Sequence, residues 1–187
     1  MKRLLCLFLS VIISSGLFLL VPCSARYSHQ ECRRIYDFEE DKDLDGLGWK
    51  CHTWYERSRK HATHGSFSLK VEMYPPETYP GLGILDFRGS WKDVKMVRLD
   101  IFNPGAEPVF LTFRIDDRRD DPPYSDRVNM RVELHPGMNS LTLDFARLRT
   151  SGTGRLLHVA AVCAFMVFIV SPREPVTIFV DNIRLCK

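Results

Sequence analysis

Apolar and polar residues alternate along most of this chain with a period of two. The closing stretch, Val176 to Cys186 (VTIFVDNIRLC), shows it best: Val176, Ile178 and Val180 share one phase, and Ile183 and Leu185 resume in the other. A strand with one buried face requires that period. The phase breaks at Asp181-Asn182, where two polar side chains interrupt a hydrophobic strand and need partners. Near the other end, Cys32 to Glu39 (CRRIYDFE) alternates too. An antiparallel register that sets Cys32 opposite Cys186 also sets Asp37 opposite Asp181. The two strands are therefore expected to be neighbours, with a Cys32–Cys186 disulfide and a pair of carboxylates suited to a cation at their seam.

Further strands follow from the same pattern. Gly46 to Glu56 (GLGWKCHTWYE) predicts one strand with Trp49 and Trp54 on opposite parities, one facing inward and the other solvent. Phe67, Leu69 and Val71 alternate with polar residues, and Gly83 to Phe87 makes a short strand. Asn103-Pro-Gly joins Val94–Asn103 to Val109–Ile115, which predicts a hairpin, and His135-Pro-Gly does the same between Arg127–Leu134 and Asn139–Phe145. The apolar run Val159 to Val170 is too short to span a bilayer and reads as a turn plus a core strand. Roughly eight to ten short strands separated by turn signals, with no long amphipathic helix, predict an all-β sandwich.

Several of these motifs resemble those of a known superfamily. The closing Phe179-Val-Asp-Asn-Ile-Arg-Leu185, the opening Asp37-Phe-Glu39 with Gly48-Trp49 after it, and Gly65-Ser-Phe-Ser-Leu-Lys-Val71 resemble jelly-roll carbohydrate-binding modules of the galactose-binding-like superfamily. The likeness runs from about Ile35 to Leu185. The middle of the chain, through Leu99-Asp-Ile-Phe-Asn-Pro-Gly105, Arg114-Ile-Asp-Asp117 and Tyr124-Ser-Asp-Arg-Val-Asn129, is also similar to β domains of bacterial envelope proteins. The resemblance implies a single jelly-roll β-sandwich, galactose-binding-domain-like. It also implies a structural Ca2+ between the first strands and the last, with Glu39, Asp41 and Asp181 at the matching positions.

Composition adds the compartment. Lys2 and Arg3 precede an uncharged run from Leu4 to Val21, closed by Pro22-Cys-Ser-Ala25. This is the form of a secretory leader, residues 1–25, with cleavage after Ala25. Lipidation at Cys23 and an uncleaved membrane anchor are the alternatives, and all three put residues 26–187 outside the cytoplasm, periplasmic, secreted or envelope-anchored. The formal net charge is only +3, with Lys and Arg interspersed among Asp and Glu, which argues against nucleic acid as a partner. Four cysteines lie beyond the leader and allow three pairings. Beside Cys32–Cys186, either Cys51 and Cys163 form a second bridge or Cys163 is a buried thiol in its apolar run.

The loop from Asp116 to Asn129 (DDRRDDPPYSDRVN) is richest in chemistry. Planar hydrogen-bonding groups read pairs of sugar hydroxyls, and aromatic rings stack on the apolar face of a sugar. Arg114, Asp116, Tyr124, Asp126, Arg127 and Asn129 supply these types at two successive strand ends, with Trp54 as a further exposed ring. An Asp–Arg network that merely orders the loop has the same composition. Tyr74 and Tyr79 in the proline-rich stretch are also exposed aromatic candidates, whereas the acidic run Glu39 to Asp45 and the pair His61 and His64 fit solvated loops. The acidic run 116–121 supplies carboxylates but no recognisable catalytic pair, and neither Gly-x-Ser-x-Gly nor HExxH occurs, so no catalytic residues are expected. The expected function is noncatalytic binding of a glycan or polysaccharide at the cell envelope. The alternative is an envelope protein-interaction or assembly scaffold of the same fold, with membrane contact only through an N-terminal anchor.

Overall fold

Eleven strands of a computed structural model, which describes residues 31–85 and 87–187, form two antiparallel sheets. The leader lies outside the described residues. In chain order the strands are β1 (Cys32–Tyr36), β2 (Leu47–Cys51), β3 (Thr53–Ser58), β4 (Ser68–Met73), β5 (Gly81–Ile84), β6 (Met96–Asn103), β7 (Val109–Asp116), β8 (Val128–Leu134), β9 (Gly137–Asp144), β10 (Ala164–Phe168) and β11 (Val176–Cys186). One sheet runs β3-β4-β11-β6-β9, with β1 also on β11; the other runs β2-β5-β10-β7-β8. This is the expected jelly-roll sandwich. Among the described residues no helix is long and apolar enough to cross a membrane.

The core lies between the sheets and is built from the inward phase of each strand. Leu69 and Val71, Val97, Leu99 and Ile101, and Ile178 and Val180 come from the six-stranded sheet. Leu82 and Ile84, Leu111, Phe113 and Ile115, and Phe165 and Val167 come from the five-stranded one. Each such side chain contributes about 1.5–3 kcal/mol by leaving water. The phase break in β11 is a β-bulge. Its register against β6 shifts between Asp181 and Arg184, Asn182 has φ 55°, and Ile183 and Leu185 return to the core on the far side.

A second irregularity, with Ile35 of β1 as its extra residue, decides what happens at the seam. Cys32 pairs with Cys186, and the two are joined by a disulfide, as expected. Asp37 does not oppose Asp181, because the β1–β11 register slips beyond Arg34 and brings Tyr36 to Ile183. Asp181 instead opposes Asp100 on β6.

Two further expectations are corrected. Gly46 to Glu56 is two strands: His52, at φ 40°, breaks it, and β2 and β3 enter different sheets. Neither expected hairpin forms. β6 and β9 pair in one sheet while β7 and β8 pair in the other, so both Pro-Gly turns carry the chain across the sandwich. Cys51 and Cys163 are unbridged thiols, both pushed upward in pKa by burial, and Cys163 Sγ lies 3.5 Å from the Asp116 carbonyl oxygen.

Candidate functional site

Alternation on β7 puts Leu111, Phe113 and Ile115 in the core, so Phe110, Thr112, Arg114 and Asp116 point away from it. Strand registry extends these positions sideways across the five-stranded sheet. Arg114 is flanked by Met166 on β10 and Asn129 on β8, and beyond Met166 comes Gly83 on β5. One step along, Thr112 is flanked by Phe168 and Arg131, with Gly81 beyond Phe168. Directly opposed positions in such a sheet stand about 5 Å apart, close enough for one ligand to touch both. The β5 positions are glycines, so that side of the face carries no side chains there.

Loops build the walls. The 117–127 loop brings Tyr124 and Arg127 to one end, and the loop before β5 brings Tyr79, whose ring meets Phe168 edge-on at 5.5 Å between centroids. These residues, with Thr112, Arg114, Asn129 and Val170, line a cleft of about 480 Å³. A second cleft of about 940 Å³ continues past Thr112 and Val170 to Phe110, Arg131, Pro172 and Arg173. The two share Thr112 and Val170, so one groove follows β7. From Phe110 to Arg114 it spans about 13 Å at the rise of an extended strand, the reach of a short oligosaccharide. Tyr124 is 68% exposed and Tyr79 49%, both far above what a packed ring shows.

The guanidiniums in this groove are fixed by carboxylates behind them. Arg114 donates to Asp116 through Nε (3.0 and 3.1 Å) and Nη2 (2.5 Å), and Nη2 also donates to Asp121 at 3.1 Å. Burial works against the Arg114 charge, but the hydrogen bonds it donates to Asp116 and Asp121 outweigh that and raise the pKa. Arg127 shares Asp121 at 2.9 Å and donates Nε to the Pro122 carbonyl. The Asn129 amide nitrogen donates to the Ser151 hydroxyl at 3.1 Å. Held this way, a planar donor loses little freedom when it meets a second acceptor.

Five of the seven expected ligand residues therefore meet: Arg114, Tyr124, Arg127 and Asn129 line the groove, and Asp116 orients Arg114 from below it. Asp126 does not join them. It is 6% exposed and accepts from Arg155 Nε at 3.0 Å, which with its bonds to Asp117 at 2.7 and 2.8 Å ties the loop to the 150–158 segment. Arg155, chiefly through its hydrogen bond, holds the Asp117 carboxyl below the ordinary range. Trp54 is 61% exposed, as expected of a sugar-stacking ring, but it sits on β3 at the edge of the other sheet. The break at His52 sends it there. Tyr79, Phe168, Thr112 and Val170 were not in the expected set, although Tyr79 carried a signal in its proline-rich, aromatic loop.

The carboxylates expected to hold Ca2+ are occupied by donors. Glu39 Oε1 accepts from the Ser66 and Phe67 amides at 2.8 and 2.7 Å, and Asp41 pairs with Arg57. Asp181 Oδ2 accepts from the Thr63 and His64 amides at 2.6 and 2.9 Å. Calcium takes six to eight oxygen ligands, and here Glu39 Oε1, Asp181 Oδ2 and one Asp41 oxygen already accept hydrogen bonds from protein N–H groups. Among the described residues no group of three or more His, Cys, Asp or Glu side chains is arranged to hold a metal. The same donors explain the His61–His64 segment. It packs onto the six-stranded sheet, with the His61 ring stacked on Phe102 at 3.6 Å and edge-on to Phe179 at 4.6 Å.

The fold has solved relatives. A family 11 carbohydrate-binding module from Clostridium thermocellum, in complex with a β-1,3-1,4-mixed-linked tetrasaccharide, superposes with a TM-score of 0.58 at 16% identity, over 82% of this chain and 94% of the module. The family 11 module of the cellulosomal cellulase Lic26A-Cel5E of the same organism gives 0.59 at 14% identity, over 83% and 94%. An exo-β-agarase gives 0.59 at 16% identity, over 81% of this chain but 24% of its own, so the chain spans about a quarter of that enzyme's length. The fold is that of these jelly-roll modules. No protein-family model matches the sequence, and no curated protein matches it.

Proposed function

We propose that this protein is a noncatalytic glycan-binding module whose site is the groove on the outer face of its five-stranded sheet. The observation that carries the reading is one arrangement: two exposed tyrosines and Phe168 stand beside Arg114, Arg127 and Asn129, each already held by a partner. Aromatic faces accept the apolar side of a sugar ring, and the fixed planar donors read its hydroxyls. The likeness to modules that bind glycans favours this use of the fold, although fold alone does not set function.

The carboxylates at the groove act as positioning groups. Asp116 and Asp121 serve the arginines, and Asp117, held low by Arg155, is a poor proton donor for a glycosidase pair. Export completes the proposal: the leader-like first 25 residues and the disulfide between the two ends fit an oxidising compartment outside the cytoplasm.

A glycan array with the purified protein tests it. Binding to a defined set of oligosaccharides, weakened about tenfold or more in both Tyr124→Ala and Arg114→Ala, is the expected result. A blank array from folded protein would overturn it and direct the search to a protein partner.

A further inference from the structure

The two ends of the groove differ in how their arginines are satisfied. At the Tyr124 end, Arg114 and Arg127 spend part of their donors on Asp116, Asp121 and the Pro122 carbonyl. At the other end, Arg131 and Arg173 line the larger cleft and are both exposed. Among the described residues neither has a carboxylate within 4 Å or a hydrogen-bond acceptor in reach. The Arg131 guanidinium lies 4.0 Å from the centroid of the Phe110 ring. That contact fixes the plane of the guanidinium through its face and leaves its N–H edge unspent. Glu107 and Glu174 border the same cleft without pairing with either arginine.

We infer that the groove takes an anionic polysaccharide, with a carboxylate or sulfate group of the chain held between Arg131 and Arg173 while sugar rings lie along β7 towards Tyr124. This rests on the glycan-binding reading and narrows it to a substrate class. A neutral glycan does not satisfy the charge of the two unpaired guanidiniums that border this cleft with Phe110 and Val170. An oxyanion does, because the guanidinium fork matches its geometry and a charge-assisted bond is roughly twice as strong as a neutral one. Glu107 and Glu174 pair with neither guanidinium, so both stay open to an acid group of the ligand.

The test measures affinity at low and at physiological salt for four polysaccharides: polygalacturonate (carboxylate), ι-carrageenan (sulfate), agarose and mixed-linkage β-glucan (both neutral). Polyglutamate and single-stranded DNA serve as anions without the same sugar backbone. The expected result is at least about tenfold tighter binding to one of the two anionic polysaccharides than to either neutral one, weakening as salt rises. Which of the two it is identifies the acid group. Arg131→Ala combined with Arg173→Ala removes the preference. Both residues are exposed, so the fold survives the change, and near-ultraviolet circular dichroism verifies that.

Equal or tighter binding to the neutral polysaccharides overturns the anionic assignment and leaves the glycan-binding reading standing. So does a preference that survives the double substitution, or equal affinity for polyglutamate or DNA. Failure to bind any of the four polysaccharides overturns the anionic assignment, and the glycan-binding reading falls with it only if the array is blank as well.

Discussion

Asp100 and Asp181 stand directly opposite each other on β6 and β11, and the hydroxyl of Thr63 lies within hydrogen-bond distance of both, at 2.9 Å from Asp100 Oδ2 and 3.2 Å from Asp181 Oδ2. Two carboxylates this close on one sheet repel, and neither is exposed. The 59–67 segment relieves this by laying its amides and the Thr63 hydroxyl over them, while Ser140 and Asn182 donate to Asp100 at 2.8 and 3.0 Å. Thr63→Val keeps the shape and removes the shared donor. It is expected to cost about 1–3 kcal/mol, read as a lower urea midpoint with an unchanged slope.

The same cluster has a pH signature. Burial raises the Asp181 pKa more than the hydrogen bonds from His64, Thr63 and Asn182 lower it. An acid with a raised folded pKa binds more protons folded than unfolded. Its contribution to stability is therefore full below the unfolded value and is lost as pH rises through the folded one. The stability of the native protein minus that of Asp181→Asn should fall as pH rises from about 4 upward. A difference that grew over that range would mean that the hydrogen bonds dominate.

Asp117 behaves in the opposite sense. Arg155 holds its carboxyl low, so its contribution is present above the ordinary carboxylate range and is lost as pH falls through its depressed folded value. Arg155→Ala strands a carboxylate that is 8% exposed and is expected to cost about 2–3 kcal/mol at neutral pH. The penalty shrinks in acid, and thermal melts at pH 7 and pH 3 measure it.

Gly81 sits where any side chain collides. A Cβ there would stand 2.2 Å from the Val167 carbonyl oxygen and 2.6 Å from the Phe168 Cα, both backbone atoms of β10. Gly81→Ala must shift the β5–β10 pairing and the Phe168 ring that lines the groove. About 1–3 kcal/mol of stability is expected to go, and glycan affinity should fall with it. A substitution that left both unchanged would show that β10 yields easily.

The disulfide closes nearly the whole sandwich, since Cys32 and Cys186 are 154 residues apart. Cys32→Ala with Cys186→Ala is expected to lower stability by about 2–5 kcal/mol, because the bridge restricts the unfolded chain over a long loop. Denaturation of the two forms side by side measures it.

Much of this was legible in the chain. Alternation marked β11, β6 and β7, and the cysteine positions marked the β1–β11 neighbours, because both are local or terminal signals. Partner choice was not legible. Asn103-Pro-Gly and His135-Pro-Gly look like hairpin turns, yet each crosses between sheets, since a turn's residues encode reversal and not the identity of the next neighbour. A bulge at Asn182 and a break at His52 each depend on one residue with positive φ. An extra residue at Ile35 of β1 separated Asp37 from Asp181, and the break at His52 moved Trp54 to the other sheet. Arg114, Tyr124, Arg127 and Asn129 could be grouped because they flank one β7–β8 connection. Phe168 and Val170 could not, because they reach the groove through the pairing of β10 with β7, and in the sequence they belong to an apolar run that reads as core.

The central claim is that ligand lies on the outer face of the five-stranded sheet. Backbone amide chemical shifts, followed by NMR while a bound oligosaccharide from the array is titrated in, test it most directly. The account predicts that the perturbed amides cluster at Thr112, Arg114, Tyr124, Asn129 and Phe168, with Trp54 and its β3 neighbours unmoved. Perturbations centred on Trp54 and β3, with the β7–β8–β10 face silent, would contradict it.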